Sequence, residues 1–403
     1  MKVIDKLLDY VSYETTSNED SPTCPSSELE KALGSHLVEE LKKYGCTESF
    51  IDENGYVYGK FEANDDNYSS IGLIAHMDTS PEVSGKDVKP RIIENYDGET
   101  IKLENGLEIT TDRYPNIRNY KGKTVVVTDG NTLLGADDKA GIAIIMEVLD
   151  YFNSNKDKKH GMIKVCITPD EEIGRGADLF NYDYFDVDYS YTIDGADYRA
   201  ISYENFNAAS ADVTFSGVSV HPGSAKDKMV NAINVAHEFH GMLDANMRPE
   251  HTDGYDGFNH IVGMKGDVSN AEIYYILRNF DSELLNKQKE SFINIQNYLN
   301  DKYGYEVVKV DLEDNYRNMA DLFENNRKTI DLFYDACKKL GVDAIPEPIR
   351  GGTDGATISY GGILTPNLGT GGDNFHGPYE LWCKEDGEMV VTILLKMIES
   401  LAN

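Results

Sequence analysis

Apolar residues along the first half of the chain follow two different periods in turn. Residues 1–11 and 27–44 carry apolar side chains at every third or fourth position, which predicts amphipathic helices. Short runs rich in Val and Ile predict buried strands, and they read "SSIGLIAH", "KTVVVT", "MIKVCIT" and "YSYTI". Between the second and third of these runs, "ADDKAGIAIIMEVLDYF" predicts another helix. This alternation favours an α/β sheet with helices on its faces.

The pattern changes near residue 207. There "ADVTFSG" and later "AEIYYILRNF" alternate like strands, and each is followed by a predicted helix. The predicted helices from this point onward lie at 229–243, 282–303, 329–340 and 386–401. Two strand-plus-helix units in succession indicate a compact α+β insertion. We therefore predict a discontinuous α/β domain, residues 1–206 and 317–403, interrupted by a smaller domain at 207–316.

Composition narrows the possible partners and the compartment. The chain has 403 residues, with 38 basic and 70 acidic side chains and a net charge of −32. This charge argues against nucleic acid and anionic membranes as partners, because both are bound by clustered Lys and Arg. Five scattered cysteines without CxxC spacing indicate free thiols in a reducing compartment, which suits a cytoplasmic protein. We expect neither a secretory signal nor a transmembrane helix.

Three predicted strands end in groups that bind metals, and two loops carry more of them. The residues are His76 and Asp78, Glu171 and Glu172, Asp194, Asp137 and Asp138, and His376. Open α/β sheets place ligand sites beyond the carboxyl ends of their strands, so these segments could meet at one edge. Imidazole with carboxylate suits zinc, or less specifically manganese or cobalt. The excess of acids suits two cations bridged by a carboxylate, and Glu171 could then act as a general base.

Each of these groups, taken singly, has a plainer interpretation. An isolated His or Asp at a strand end is usually a capping or solvated residue, and Asp138 can simply favour the start of a helix. The triplet 170–172 can be an acidic helix terminus after a proline. Three adjacent carboxylates repel one another unless water or a cation lies among them. The repetition of one ligand chemistry at several strand ends favours the metal site, with Asp170 left as a solvated or hydrogen-bonded residue.

Longer blocks of the sequence carry a family resemblance. They include "AHMDTSPEVSGKDVKP", "TDGNTLLGADDKAG", "TPDEEIGRGA", "YTIDGAD", "ENFNAASADV", "HPGSAKDKMVNA", "IRGGTDGA" and "GTGGDNFHG". Over almost its whole length the chain resembles the tripeptide aminopeptidases, within the larger group of dinuclear zinc exopeptidases and aminoacylases. The resemblance implies an α/β zinc-exopeptidase-like catalytic domain with a mixed sheet and flanking helices, interrupted by a smaller α+β lid domain. It also implies a cytoplasmic hydrolase that removes the N-terminal residue of tripeptides.

The same resemblance implies a set of metal ligands. Two zinc ions per chain are expected, with manganese or cobalt as substitutes. His76, Asp137 and Asp194 would hold one ion. Asp137, Glu172 and His376 would hold the other, so that Asp137 bridges the pair.

Two more residues receive catalytic roles from the resemblance. Glu171 would be the general base that takes a proton from a metal-bridging water and so produces the attacking hydroxide. Asp78 would orient the His76 ring. The peptide bond between Asp137 and Asp138 is typically cis in this group.

The lid domain would supply substrate contacts. His221, in "HPGSA", matches a histidine that stabilises the oxyanion in relatives and comes from the partner subunit where the relatives are dimers. Arg278 and Arg350 resemble binders of the substrate carboxylate, although Arg278 fits a surface salt bridge equally well. A homodimer through the lid domain is an associated expectation.

Two other functions compete with this one. An amidohydrolase acting on acylated amino acids or dipeptides would use the same metals with a different pocket. A metal- or peptide-binding protein without catalysis would have no need of Glu171 beside a ligand.

Overall fold

The computed structural model describes residues 2–402 and divides the chain into two compact units. The first unit consists of Met1–Tyr203, Leu322–Glu347 and Thr353–Asn403, and the second of Glu204–Asp321 and Pro348–Gly352. The predicted domain limits, at 206/207 and 316/317, lie a few residues from these. The short return of the chain to the second unit at 348–352 was not predicted from the sequence.

Helices and strands are both present in each of the two units. The helices within residues 2–402 are α1 (Val3–Tyr10), α2 (Glu30–Lys43), α3 (Ala136–Ser154), α4 (Ala232–Met242), α5 (Ser282–Tyr303), α6 (Ala320–Phe323), α7 (Lys328–Leu340), α8 (Asp354–Tyr360) and α9 (Lys384–Glu399). The strands are β1 (Glu48–Ile51), β2 (Val57–Phe61), β3 (Ile71–His76), β4 (Arg91–Ile93), β5 (Ile101–Lys102), β6 (Glu108–Ile109), β7 (Val125–Val127), β8 (Ile163–Thr168), β9 (Tyr189–Ile193), β10 (Ala200–Ser202), β11 (Asn207–Ser216), β12 (Phe258–Gly266), β13 (Asn270–Asn279), β14 (Val308–Tyr316), β15 (Ile345–Pro346), β16 (Asn367–Leu368), β17 (Gly372–Asp373) and β18 (Leu381–Cys383). No helix in this part of the chain is long and apolar enough to cross a membrane.

The main sheet of the first unit is mixed and has eight strands in the order β1-β2-β8-β3-β9-β16-β10-β15. At its centre β8, β3 and β9 are parallel neighbours, and β3 and β8 are buried along their whole length. A strand covered on both faces reads as a continuous apolar run, which is why these strands were predictable. The predicted strand "KTVVVT" forms β7, but it belongs to a separate sheet with the order β17-β18-β7-β4. Its partner β18 lies some 250 residues away in sequence, and periodicity cannot reveal such a pairing.

Helix α3 packs against β3 and β9 and is buried on nearly every side. One glycine makes this close approach possible. A Cβ atom at Gly141 would lie 2.0 Å from the carbonyl oxygen of Ile193 and 2.5 Å from a carboxylate oxygen of Asp138. Any larger side chain would force the helix away from the end of β9. The helix is thereby held so that its first residues lie beside the carboxyl ends of the central strands.

The second unit is an antiparallel sheet in the order β12-β13-β11-β14, with α4 and α5 packed on it. On β11, Ala209, Ala211, Val213 and Phe215 are buried, and the residues between them after position 211 are exposed. This alternation is typical of a sheet covered on one face. The α5 prediction is confirmed at Ser282–Tyr303. The edge strands β12 and β14 were missed because one is rich in glycine and the other in acids, both poor strand formers.

Phe292 on α5 provides a test of this core. It is fully buried, and its ring centroid lies 5.1 Å from that of Tyr275 and 5.7 Å from that of Phe239. We expect Phe292→Ala to lower the free energy of unfolding by about 3–5 kcal/mol, through lost burial and the cavity left behind. Tyr298→Ala, on the same helix but 55% exposed, should change it by less than about 0.5 kcal/mol. Urea denaturation followed by far-UV circular dichroism measures both, and equal losses would contradict the placement of α5.

Candidate metal centre

Three neighbouring parallel strands deliver the predicted residues to one edge of the main sheet. His76 is the last residue of β3, Thr168 is the last residue of β8, and β9 ends at Ile193, one residue before Asp194. In the register of the sheet His76 lies opposite Thr168. The chain after Thr168 turns directly into the acidic triplet at 170–172. The carboxyl ends of parallel strands meet at the same edge, so the sheet itself assembles the cluster.

His76 is surrounded by acceptors at both ring nitrogens. Nδ1 lies 3.1 Å from the carbonyl oxygen of Asp78 and 3.2 Å from its carboxylate, so it carries a proton. Nε2 lies 3.0 Å from Asp137 Oδ1 and 3.7 Å from Asp194 Oδ1. A neutral ring has one proton only, which leaves the Nε2 lone pair facing two carboxylates. Either a second proton or a cation must lie between these atoms.

Asp137 lies between two histidines. Its Oδ1 approaches His76, and its Oδ2 lies 3.3 Å from His376 Nε2. His376 Nε2 also lies 2.9 Å from Glu172 Oε2. Two groups of possible ligand atoms therefore share Asp137, each with all its atoms within 4.8 Å of one another. The first group is His76, Asp137 and Asp194, and the second is Asp137, Glu172 and His376.

Asp78 is completely buried and serves three neighbours at once. Its carboxylate accepts hydrogen bonds from the backbone N–H groups of Glu171, at 3.0 Å, and of Glu172, at 3.1 Å, besides lying beside His76 Nδ1. The predicted contact with His76 is therefore present. The contacts with the backbone of the acidic triplet were not predicted, and they fix that turn relative to the histidine.

The three acids of the triplet lie in different surroundings. Asp170 is buried, and both its carboxylate oxygens accept from the backbone N–H of Ser26, at 3.0 and 2.8 Å. Glu172 faces His376, whereas Glu171 Oε2 lies 4.0 Å from His76 Nε2 and belongs to neither group of possible ligands. The side chain of Glu171 is 17% exposed. It lies beside the cluster, and part of its side chain is exposed.

The charges of the cluster shift its pKa values strongly. Burial raises the pKa of Glu171 well above its ordinary value, and the charge of Asp194 raises it further. Burial, followed by repulsion from Asp137, raises the pKa of Glu172 to about 7. Hydrogen bonds to Asp137 and Glu172 raise the pKa of His376 to about 11. Burial and the crowding of carboxylates act together in these shifts, and a divalent cation would offset the negative charge in place of protons.

The donor set fits such cations. Each group combines one imidazole nitrogen with carboxylate oxygens, which is the ligand chemistry of zinc and related divalent metals. The Nδ1–H group of His76 donates a hydrogen bond to Asp78, and metal-bound histidines usually make such a bond with the nitrogen that does not bind the metal. Asp137 belongs to both groups, so its carboxylate could bridge two such cations.

Three further buried acids border the cluster, and the sequence did not single them out for such contacts. Asp138 accepts from the backbone N–H groups of His76 and Gly141, and the peptide bond before it is cis. Asp354, the first residue of α8, accepts from Thr168 Oγ1 at 2.7 Å. Glu380 accepts from the backbone of the turn that leads into α3. Asp138 is a candidate in the sequence from its place beside Asp137, Asp354 lies in the "GGTDGA" block, and Glu380 follows the predicted ligand His376 by four residues.

The predicted substrate residues lie in the second unit. His221 is exposed, and its Nδ1 accepts from the backbone N–H of Gly223 at 3.1 Å. In the neutral ring this leaves the proton on Nε2, which is therefore a potential hydrogen-bond donor.

Both predicted arginines are bound to backbone oxygens in that unit. Arg278 donates to the carbonyl oxygens of Ala209 and Leu277. Arg350 donates to those of Gly254 and Asp256. The salt bridges found within residues 2–402 include neither arginine, so the alternative of a surface salt bridge for Arg278 gains no support. Neither guanidinium charge is neutralised by a carboxylate of the described chain.

Comparison with known proteins gives relatives along the whole chain. Curated relatives named Peptidase T are 43–47% identical, and the one from Caldanaerobacter subterraneus subsp. tengcongensis is 47% identical over 401 residues, or 99% of this chain and 98% of the relative. The crystal structure of a tripeptidase from Staphylococcus aureus superposes with a TM-score of 0.80 at 21% identity and covers 100% of this chain and 98% of that chain. A dinuclear metal-binding peptidase of the M20 family from Bacillus subtilis superposes with a TM-score of 0.67 at 14% identity, with 100% and 98% coverage.

These likenesses bear on the predictions made from the sequence. The superpositions confirm the predicted α/β fold, and the relatives confirm the predicted relationship to peptidases. The model of peptidase family M20/M25/M40 matches residues 120–400, a segment that contains four of the five proposed metal ligands. With that match and the full-length relatives, we conclude that this chain belongs to peptidase family M20/M25/M40.

Proposed function

We propose that this protein is a metal-dependent aminopeptidase that removes the N-terminal residue of tripeptides. The observation that carries the proposal is the pair of His-carboxylate groups that share Asp137. Family membership, the name Peptidase T among the relatives and the tripeptidase with the same fold support the substrate class. We infer that two divalent cations bind there, held by the residues predicted from the sequence, and zinc suits the nitrogen and oxygen donors best.

Bound cations would polarise the scissile carbonyl group and lower the pKa of water in the site. Glu171 is the proposed general base, because its carboxylate lies at the edge of the cluster and is not needed as a ligand. It takes a proton from water as the oxygen–carbon bond forms. It then returns the proton to the nitrogen of the leaving amine as the carbon–nitrogen bond breaks, so the proton count closes.

Residues around the base hold it in place or contact the substrate. Asp78 positions Glu171 through the backbone N–H and keeps the proton of His76 on Nδ1. His221 is proposed to stabilise the oxyanion through its exposed Nε2–H. Arg278 and Arg350 are the proposed binders of the C-terminal carboxylate of the tripeptide, because neither charge is paired within the described chain. A homodimer through the second unit and a cytoplasmic location stay predictions.

A peptide panel tests the substrate class. Purified protein is incubated with di-, tri- and tetrapeptides, an N-acetylated tripeptide and acylated amino acids, and liberated amino acids are measured. We expect rapid release from the free tripeptide only, loss of this activity after chelation, and recovery when Zn²⁺ is added. Preferential cleavage of acylated amino acids or dipeptides would favour an amidohydrolase or dipeptidase instead. Full metal occupancy without any cleavage would indicate a binding protein.

A further inference from the structure

Glu380 lies at the base of the loop that carries His376. Strands β17 and β18 form a short antiparallel ladder, with Asp373 opposite Leu381, and the loop between them contains both residues. Glu380 is only 1% exposed. A buried carboxylate is expensive unless hydrogen bonds satisfy its oxygens.

All donors to Glu380 lie in the turn before α3 or in the first residues of that helix. Oε2 accepts from the backbone N–H groups of Leu134, at 2.7 Å, and Gly135, at 2.9 Å. Oε1 accepts from the backbone N–H of Asp137 at 3.0 Å. Backbone N–H groups at the start of a helix have no partner within the helix, and they favour a negative charge. One side chain therefore holds the backbone of the residue that both groups of possible metal ligands share.

Glu380 thus connects two loops that are distant in sequence. One loop presents His376 and the other presents Asp137, and their side chains meet with Nε2 and Oδ2 3.3 Å apart. The backbone of His376 has a left-handed φ of 62°. Residues other than glycine seldom adopt that conformation without support from their surroundings. A small rotation of either loop would change this distance. The three hydrogen bonds of Glu380 oppose such a rotation.

We propose that Glu380 is a positioning residue of the metal pair, which sets Asp137 in the geometry that both cations need. The inference rests on the proposed function, since it requires that two cations bind. Glu380 belongs to neither group of possible metal ligands, and it acts through the backbone of Asp137. The competing interpretation is that its hydrogen bonds only stabilise the fold.

Zn²⁺ titration of the full chain separates the two interpretations. After removal of metal by chelation, wild type and Glu380→Gln are titrated with Zn²⁺ in a calorimeter, and the melting temperature of each metal-free protein is recorded. Gln has the same size but a single oxygen, so it cannot accept from all three N–H groups. We expect Glu380→Gln to bind Zn²⁺ about 10- to 100-fold more weakly at both sites.

Glu147→Gln is the matched control. Glu147 is also a buried carboxylate, and it is a residue of α3. It accepts hydrogen bonds from Lys6 Nζ at 2.7 Å and from the backbone N–H of Lys2 at 3.1 Å. It makes no contact with the turn at 134–137. This variant should lower the melting temperature and leave the Zn²⁺ affinity unchanged.

The outcomes separate cleanly. Unchanged Zn²⁺ affinity in Glu380→Gln, or an equal loss in both variants, would overturn the positioning role. If Glu380→Gln does not fold, Glu380→Asp is titrated instead, because it keeps the charge but is one methylene too short for the three bonds. Weaker Zn²⁺ binding in that variant supports the role, and wild-type affinity overturns it. Uptake of fewer than two Zn²⁺ by the wild-type protein would refute the proposed pair of cations, independently of the variants, whereas the peptide panel tests the aminopeptidase activity itself.

Discussion

Replacement of Glu171 by Gln is expected to lower kcat on a tripeptide by about 10²- to 10⁴-fold while both metal ions stay bound. Gln matches Glu in size, and the backbone N–H that donates to Asp78 is unaffected. The amide cannot accept a proton from water, so the proposed proton transfer fails. Because Glu171 belongs to neither group of possible ligands, the metal content should not change.

Steady-state kinetics give kcat, and metal analysis after dialysis gives the metal content, so the two measurements together test this prediction. Asp178→Asn, a matched loss of one carboxylate at an exposed position in the same segment, should retain the full kcat. Glu171→Asp keeps a carboxylate base but moves it away from the cluster by one methylene group. Its kcat should lie between those of Glu171→Gln and wild type. Wild-type turnover in Glu171→Gln would exclude this residue as the base. Loss of one metal from that variant would instead assign Glu171 as a ligand.

Replacement of Asp137 by Ala is expected to remove both metals and all measurable turnover. Its two oxygens face different histidines, so one substitution takes a ligand from each group. His376→Ala removes a ligand from one group only and should leave one metal bound. Loss of a residue that only hydrogen-bonds to a metal ligand typically weakens metal binding by about 10- to 100-fold. Loss of a ligand that both groups share should therefore weaken metal binding by more than about 100-fold.

Metal stoichiometry after dialysis against a weak chelator distinguishes these variants. We expect two Zn²⁺ per chain in wild type, one in His376→Ala and none in Asp137→Ala. His251→Ala, at an exposed histidine of the second unit, is the control and should retain two. One Zn²⁺ remaining in Asp137→Ala would refute the bridging role. Two remaining in His376→Ala would refute that ligand set.

The buried central strands and the long helices were predictable because their signals are local. Helix α5 carries an apolar stripe and begins after Asp281, whose side chain caps it, so its predicted limits match. Strands β3 and β8 are mostly apolar and are buried at every position. The edge strands β12 and β14 depend on pairing with β13 and β11 rather than on their own composition, and they were missed. Pairing partners far apart in sequence leave no periodic signal.

The candidate site divides in the same way. His76, Glu172 and Asp194 follow strand-like runs, so the sequence could suggest that they meet. The separate roles of Glu171 and Glu172 came from family resemblance, and they remain predictions. The sequence predicts a solvated or hydrogen-bonded Asp170, but it does not reveal that the backbone N–H of Ser26 is the donor. The three adjacent acids cannot be told apart by residue type, and only the turn after β8 directs each side chain to different neighbours.

Residue types and periodicity were sufficient to indicate an α/β protein with imidazole and carboxylate groups at its strand ends. They depend only on local spacing and on the chemistry of each side chain. The contacts that shape the cluster needed the folded chain. Glu380 and the backbone of Asp137 lie 243 positions apart in the sequence. A local pattern of residues cannot reveal a contact over such a separation. Their bond exists because α3 and the β17–β18 hairpin pack side by side, and packing between distant elements is what a linear pattern leaves open.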